Sequence, residues 1–167
     1  RYHLIIPDLR GHGGSTNPDG PLATRRFADD VVALLDHLKI GRCKAIGASA
    51  GGMTLLHLAM KHPERIEALV VVGVGTDLPK ACRAILARTT TDTLSEASWK
   101  TLRARHTHGD AQIRALYAWV ASLAEDDGDM RIEPARLAAI SAPMLIVHGD
   151  RDYCFPASMA WEVHQAV

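Results

Sequence analysis

Five residues, Gly47-Ala48-Ser49-Ala50-Gly51, constrain the fold of this 167-residue chain more than any other feature. They follow an apolar stretch over 42–48 that predicts a short strand. They precede an apolar run over 53–60 that predicts a helix ending before Pro63. A sharp strand-to-helix turn needs small residues beside the serine, because the two backbones approach closely there. The start of the helix would direct N–H groups and a positive dipole at this point, which favours a nucleophilic serine.

Hydrophobic patterning predicts strands that alternate with helices along the chain. The predicted elements are a strand over His3–Pro7, a helix over Thr24–Lys39 with Thr24 as N-cap and Gly41 past its end, strands over 42–48, Ile66–Gly73 and Pro143–Val147, and a helix from Ala157 to the chain end. The run of apolar residues in the Ile66–Gly73 strand predicts burial on both faces. The alternation predicts an α/β fold with a mostly parallel sheet and flanking helices.

The pattern changes between residues 76 and 132, where helical segments rich in Ala and Arg replace the alternation. We interpret 76–132 as an inserted helical cap, with the core formed by 1–75 and 133–167. Trp99 and Trp119 of this segment are candidates for the wall of a substrate pocket, although aromatic residues in helices also serve as core.

Composition narrows the classes of partner. Nineteen basic and nineteen acidic residues balance, and no basic run appears, so we expect a small-molecule substrate and neither nucleic acid nor membrane as partner. Cys43, Cys82 and Cys154 are odd in number and lack metal-ligand spacing, which favours reduced thiols and a cytoplasmic protein. We expect no cofactor.

Three motifs, in order, carry a family resemblance. They are Pro7-Asp8-Leu9-Arg10-Gly11-His12-Gly13-Gly14-Ser15, Gly47 to Gly52, and His148-Gly149-Asp150-Arg151-Asp152. Together they resemble the loop after the fourth strand, the nucleophile elbow and the acid-bearing turn of the α/β-hydrolase superfamily. The closest resemblance is to its capped branch of esterases, cofactor-independent haloperoxidases and carbon-carbon hydrolases.

The resemblance implies a role for each matching residue. Ser49 becomes the nucleophile, the N–H of Ala50 one oxyanion donor, and Asp152 the carboxylate that orients a general-base histidine. Ala48 stands where relatives often have a larger residue, so it would shape the pocket wall. Asp150 and Asp77 are the alternative acids; the competing interpretations are a turn residue for Asp150 and a helix N-cap for Asp77.

The resemblance also predicts what this chain lacks. Relatives place the base after one further strand, whereas the only histidine after Asp152 is His164, in the last predicted helix. The third strand and the second oxyanion donor of relatives would precede residue 1. We therefore expect a partial α/β-hydrolase fold, inactive by itself, that is unstable, re-paired, or completed by a second copy or a complementing chain.

The string His106-Thr107-His108-Gly109-Asp110 resembles a metal-binding motif, but Ala111 stands in place of its final histidine. A solvated turn is favoured over a metal site.

The overall prediction is a serine hydrolase acting on a small ester or related acyl compound through a Ser-His-Asp triad. The alternatives are a non-catalytic binding or assembly role, or a perhydrolase, haloperoxidase or carbon-carbon hydrolase of the same fold.

Overall fold

A three-stranded parallel sheet forms the centre of the protein in a computed structural model that describes residues 2–125 and 128–167. The strands are β1 (Cys43–Ala48), β2 (Ile66–Val72) and β3 (Met144–Val147), in the spatial order β1-β2-β3. Ala48 pairs with Val72, and Val72 pairs with Val147, so the carboxyl ends of the three strands lie level. The predicted α/β class and parallel sheet are confirmed.

Seven α-helices and one short 3-10 turn connect and flank the strands within the described residues. They are α1 (Thr24–His37), α2 (Ala50–Lys61), the 3-10 turn Pro63–Arg65, α3 (Lys80–Leu86), α4 (Glu96–Arg105), α5 (Asp110–Ser122), α6 (Pro134–Leu137) and α7 (Ala157–Ala166). Helices α3 to α5 lie between β2 and β3, within the range 76–132 predicted as a cap. Residues 126 and 127 of that range, and residue 1 of the predicted core, fall outside the described residues.

Helix α2 anchors the core, because it packs directly on β1 and β2 while α1 packs on α2. Its side chains Met53, Leu56 and Leu58 are fully buried, as are Ile66 and Val71 of β2. Burial of such a side chain contributes roughly 1.5–3 kcal/mol, so this contact between α2 and the sheet is a major source of stability.

Helix α1 begins and ends differently from the prediction. Its N-cap is Ala23, and its first N–H groups, those of Thr24 and Arg25, donate to the carboxylate of the distant Asp129 at 2.7 and 3.3 Å. At the other end the helix stops at His37, short of the predicted end at Lys39, and Lys39, with φ 58°, takes the left-handed conformation. A carboxylate at a helix N-terminus satisfies N–H groups that have no partner in the helix and complements the dipole.

The predicted strand over His3–Pro7 is wrong. This segment forms no strand pairing, and Leu4 and Ile6 are 77% and 88% exposed. Its apolar pattern is that of a strand, but β1 is an edge strand of the sheet and does not pair with it.

The interpretation of β2 as buried on both faces is also wrong. Its burial alternates, with Leu69 and Val71 buried and Val70 and Val72 only partly so. On the same open face of the sheet, Ile46 of β1 and Leu145 of β3 are 78% and 59% exposed. One face of the sheet thus packs on helices while the other remains largely uncovered.

Two of the three cysteines are paired, contrary to the predicted reduced thiols. Cys82 of α3 forms a disulfide with Cys154, with 4.6 Å between their Cα atoms, and only Cys43 is free. A separation of 72 residues gave no indication of this contact. Because disulfides are typical of oxidising compartments, the cysteines no longer support a cytoplasmic location.

The helices within residues 2–125 and 128–167 include none with the length and hydropathy of a membrane span.

One buried imidazole and one partly buried imidazole make stability depend on pH. Burial lowers the pKa of His57, whose ring lies 3.1 Å from the Asp129 carbonyl oxygen, and Asp129 offsets the effect only in part. Burial, together with the nearby His12, also lowers the pKa of His106, which accepts a hydrogen bond from Gly13 N–H. Both rings therefore resist protonation in the folded state.

We predict that the free energy of unfolding falls as pH falls below about 6.5, the ordinary histidine pKa. Below that value the unfolded chain binds protons at His57 and His106 that the folded chain excludes. Urea unfolding at pH 8.0 and 5.5 measures the difference. The variant His57→Gln should show a shallower pH dependence. An unaltered dependence in His57→Gln would contradict the assignment.

Candidate active site

The candidate site lies where the three strands end. Ser49 directly follows β1, Gly73 follows β2, and the segment 148–155, here called the acid turn, follows β3. Backbone hydrogen bonds tie these exits together, from Ser49 N to Val72 O at 2.8 Å and from Gly73 N to Val147 O at 3.0 Å. The parallel register thus brings residues 100 positions apart in the chain to one edge of the sheet.

Ser49 occupies a strained backbone conformation, with φ 50° and ψ −121°. Non-glycine residues rarely adopt positive φ, and such strain costs of order 1–3 kcal/mol. The turn is compact because a Cβ added to Gly47 would lie 2.5 Å from Gly51 O, and one added to Gly52 would lie 2.4 Å from a Val74 methyl carbon. The side chain of Ser49 is consequently exposed at the bend.

Helix α2 begins at Ala50, immediately after this bend, and no side chain caps it. The N–H groups of its first turn therefore have no partner within the helix. Together with the helix dipole they make the space beside Ser49 favourable for a negative charge. Ala50 supplies the first of these N–H groups, and its oxyanion role stays a prediction of the resemblance.

One carboxylate oxygen of Asp152 accepts backbone hydrogen bonds, and the other accepts none within the described residues. Its Oδ1 accepts hydrogen bonds from the backbone N–H groups of Cys154 and Phe155, at 2.8 and 2.9 Å. No hydrogen bond to Oδ2 is formed within residues 2–125 and 128–167, and a Cβ added to Gly73 would lie 3.4 Å from that oxygen. A carboxylate fixed in this way can orient a further hydrogen-bond donor.

The two alternative acids have different surroundings. Asp150 is exposed and lies in the acid turn without a hydrogen bond to other described side chains. Asp77 accepts from Leu78 N at 2.7 Å and from the Arg83 guanidinium at 3.0 Å. It is not the helix N-cap considered from the sequence, because α3 starts at Lys80 with Pro79 at the N-cap.

A cavity of about 650 Å³ opens beside Ser49 and Asp152. Its wall is mainly apolar and includes Leu78, Leu86, Trp119, Val120, Leu123, Met130 and Phe155. The charged residues around it, Asp150, Arg151 and Asp152, all belong to the acid turn. Apart from Ala48 and Trp119, sequence reasoning did not identify this wall, whose residues come from α3, α5, the segments beside them and the acid turn.

The three predicted pocket residues lie in different places. Ala48 and Trp119 line the cavity that holds Ser49. Trp99 does not, because its ring lies between the guanidinium groups of Arg103 and Arg114, at 5.0 and 5.1 Å. Its contact with two cations gives it a role in joining α4 to α5 instead of lining this cavity.

All nine histidines lie within the described residues, and none of them hydrogen-bonds to Ser49 or Asp152. His12 packs edge-on against Phe27 and Trp119, with ring centroids 5.9 Å apart in each pair. His164 is exposed on α7 against the Trp161 ring. His148 donates from Nε2 to Phe155 O at 2.6 Å and so braces the acid turn.

The His106 to Asp110 string is occupied by other contacts. His106 Nδ1 accepts from Gly13 N at 3.0 Å, His108 Nε2 donates to Gly14 O at 2.9 Å, and Asp110 forms a two-pronged ion pair with Arg103. No group of three or more His, Cys, Asp or Glu side chains in the described parts of the chain is arranged to hold a metal ion.

Comparisons with known proteins place this geometry in a family. The sequence profile of the alpha/beta hydrolase fold matches residues 1–96. The chain is 40% identical over 81 residues to 3-oxoadipate enol-lactonase 2 of Acinetobacter baylyi, covering 48% of this chain and 30% of that protein. It is 40% identical over 78 residues to 2-hydroxymuconate semialdehyde hydrolase of Pseudomonas putida, covering 46% and 28%.

Solved structures extend the similarity to nearly the whole chain. The enol-lactonase of Burkholderia xenovorans superposes with a TM-score of 0.66 at 28% identity, covering 95% of this chain and 66% of the other. A hydrolase of Pseudomonas aeruginosa gives a TM-score of 0.68 at 26% identity with the same coverage. The chain therefore spans about two thirds of these structures, and its matched segments span less than a third of the curated relatives.

We predict that Gly47→Ala destabilises the protein by about 1–3 kcal/mol, because the added methyl group meets the backbone of Gly51. Gly51→Ala is the matched control, since a Cβ there has nothing within 4 Å. In a helix that change is expected to stabilise by roughly 0.5–1 kcal/mol. Denaturant unfolding of both variants measures the contrast, and equal effects at the two positions would contradict this account of the turn.

Proposed function

This chain belongs to the alpha/beta hydrolase family, and we propose that it is the central part of a serine hydrolase acting on a small ester or related acyl compound. The observation that carries the proposal is the strained Ser49 at the start of α2, sharing one cavity with Asp152. Several of the matched relatives are hydrolases by name.

In the proposed reaction Ser49 Oγ attacks the carbonyl carbon of the substrate while a histidine removes the hydroxyl proton. The N–H of Ala50, at the positive end of α2, stabilises the oxyanion that forms. The histidine then protonates the leaving alcohol, and water releases the acid from the acyl-enzyme. Asp152 holds the imidazole in the required tautomer through its available Oδ2.

The general base is proposed to come from outside these 167 residues. None of the nine histidines of this chain hydrogen-bonds to Ser49 or Asp152, whereas Asp152 Oδ2 is available. Without a base, turnover should be lower on the order of a millionfold. The isolated chain is therefore expected to be inactive.

We also propose that added polypeptide completes the sheet. The outer edge of β1 is unpaired, the apolar segment 3–7 is extended without a strand partner, and Ile46 and Leu145 lie exposed on the open face. Unpaired backbone groups cost about 1–3 kcal/mol each when buried. A further strand from a longer chain, a second copy or a complementing chain would satisfy the edge. The other edge strand, β3, leads into the acid turn, and polypeptide added beside it is a route by which the base reaches Asp152.

A second candidate is a non-catalytic member of the fold with a binding or assembly role, favoured by the lack of a histidine at Ser49. Perhydrolysis and carbon-carbon cleavage remain alternatives within the enzyme class, because they use the same three groups and differ in the pocket. The sequence of the flanking coding region distinguishes an enzyme from a non-catalytic protein, since an enzyme requires a further strand followed by a histidine.

We predict that a fluorophosphonate probe labels Ser49 in the full-length gene product and does not label Ser49→Ala. Asp152→Asn should slow labelling by about 10³–10⁴-fold, because the imidazole loses the carboxylate that orients it. Asp150→Asn is the matched control in the same turn and should change labelling less than twofold. Intact-protein mass spectrometry measures the rates. Labelling that persists in Ser49→Ala would overturn the proposal.

We predict a preference for uncharged acyl groups, because α3 and α5 offer no cation at the cavity and the arginine there, Arg151, is flanked in the acid turn by Asp150 and Asp152. In the full-length gene product, kcat/KM for p-nitrophenyl butyrate should exceed that for p-nitrophenyl hemisuccinate by at least about tenfold.

Asp150→Asn tests whether the preference for uncharged acyl groups comes from the charge of the acid turn or from the apolar wall of the cavity. The preference should persist in that variant. If the hemisuccinate were the better substrate in both proteins, the assignment of an apolar acyl pocket would be wrong.

A further inference from the structure

The Cys82–Cys154 disulfide joins two parts of the candidate site that are far apart in the chain. Cys82 lies in α3, between β2 and β3, and Cys154 lies in the acid turn, 72 residues later. Both residues belong to the wall of the cavity that contains Ser49. The bond therefore attaches a wall helix directly to the turn that carries Asp152.

The bridge is next to the contacts that fix Asp152. The backbone N–H of Cys154 itself donates to Asp152 Oδ1 at 2.8 Å, and Phe155 N–H donates to the same oxygen at 2.9 Å. Any displacement of Cys154 changes the position of a donor that holds the carboxylate. The disulfide and the carboxylate are thus mechanically coupled through a single residue.

Few other contacts fix the acid turn. Arg151 and Tyr153 are exposed, the latter at 71%, and the buried Phe155 is held through its carbonyl by the His148 ring. On the other side, α3 is held by Arg83, which bonds Leu78 O, Ala124 O and Asp77. The disulfide is the covalent connection between these two separately held units.

We propose that the Cys82–Cys154 disulfide is a positioning element that holds Asp152 in register by tying the acid turn to α3, and that a dithiol reductant releases it. A dithiol thiolate attacks the sulfur of Cys154, the less buried residue of the pair, and Cys82 leaves as the thiolate. The second thiol then attacks the mixed disulfide and frees Cys154. Two electrons pass from the dithiol to the protein, and two protons complete its two thiols.

Cys43 provides the matched control for this chemistry. It begins β1, on the opposite side of the sheet order from β3, and it is not part of the cavity wall. Burial raises the pKa of the Cys43 thiol, with Glu67 adding to the effect, so little of the reactive thiolate is present near neutral pH. Cys43→Ala removes the remaining thiol without touching the bridge.

The first arm of the test needs no enzymatic activity. Amide hydrogen exchange is measured on Cys43→Ala before and after treatment with dithiothreitol. The same measurement is made on Cys43→Ala/Cys82→Ala/Cys154→Ala, which cannot form the bridge. Protection of the amides at 154 and 155 should fall at least about tenfold when the bridge is open, while α2 keeps its protection. Unchanged protection at 154 and 155, or recovery of Cys82 and Cys154 as separate alkylated thiols from untreated protein, would overturn the proposal.

The second arm rests on the proposed function and uses the full-length gene product. Opening the bridge should lower kcat for an ester about tenfold with KM changed less than twofold, because the acid is displaced while the apolar wall persists. The acid limb of the pH–rate profile should move to lower pH, since a loosened carboxylate raises the histidine pKa less. Reoxidation should restore both.

The two arms distinguish two kinds of failure. Loss of protection at 154 and 155 without any ester hydrolysis would leave the positioning role intact and contradict the proposed function. Normal hydrolysis with kcat and pH profile unchanged on reduction would contradict the positioning role and leave the proposed function standing. A uniform loss of protection across α2 as well would assign the bridge a general structural role and overturn the proposal.

Discussion

The close approach of two backbones at the bend between β1 and α2 is the constraint on which the rest of this structure depends. Ser49 is held in a conformation that costs of order 1–3 kcal/mol. That cost is exceeded several-fold by the burial of α2 side chains such as Met53 and Leu56 against the sheet. The position of the Ser49 hydroxyl is therefore fixed by the core, and weakening the contact between α2 and β2 would relax the bend.

Much of this arrangement was predictable because it is encoded locally. Helical periodicity, the small residues around Ser49 and the apolar strand runs each act within a few positions, and they predicted the parallel sheet and the helix after the bend. The three ordered motifs predicted the family, which the comparisons confirm. The roles of Ser49, Ala50 and Asp152 stay predictions, although the register explains how positions 49 and 152 reach one cavity.

The features that sequence reasoning missed depend on contacts between distant positions. The segment His3–Pro7 has the pattern of a strand, but a strand also needs a neighbour, and no local pattern supplies one. The pairing of Cys82 with Cys154 follows from the placement of α3 over the acid turn. Trp99 is an aromatic residue of the kind common in substrate pockets, yet its ring packs against two guanidinium groups away from the cavity.

Asp129 has a consequence for how this protein can diversify. Its carboxylate caps α1 at Thr24 and Arg25, and its carbonyl oxygen contacts the His57 ring on α2. Asp129, which follows α5 in the chain, thus holds both α1 and α2 in place. Any sequence that replaces the segment from α3 to α5 therefore keeps these contacts only if the exchange ends before Asp129.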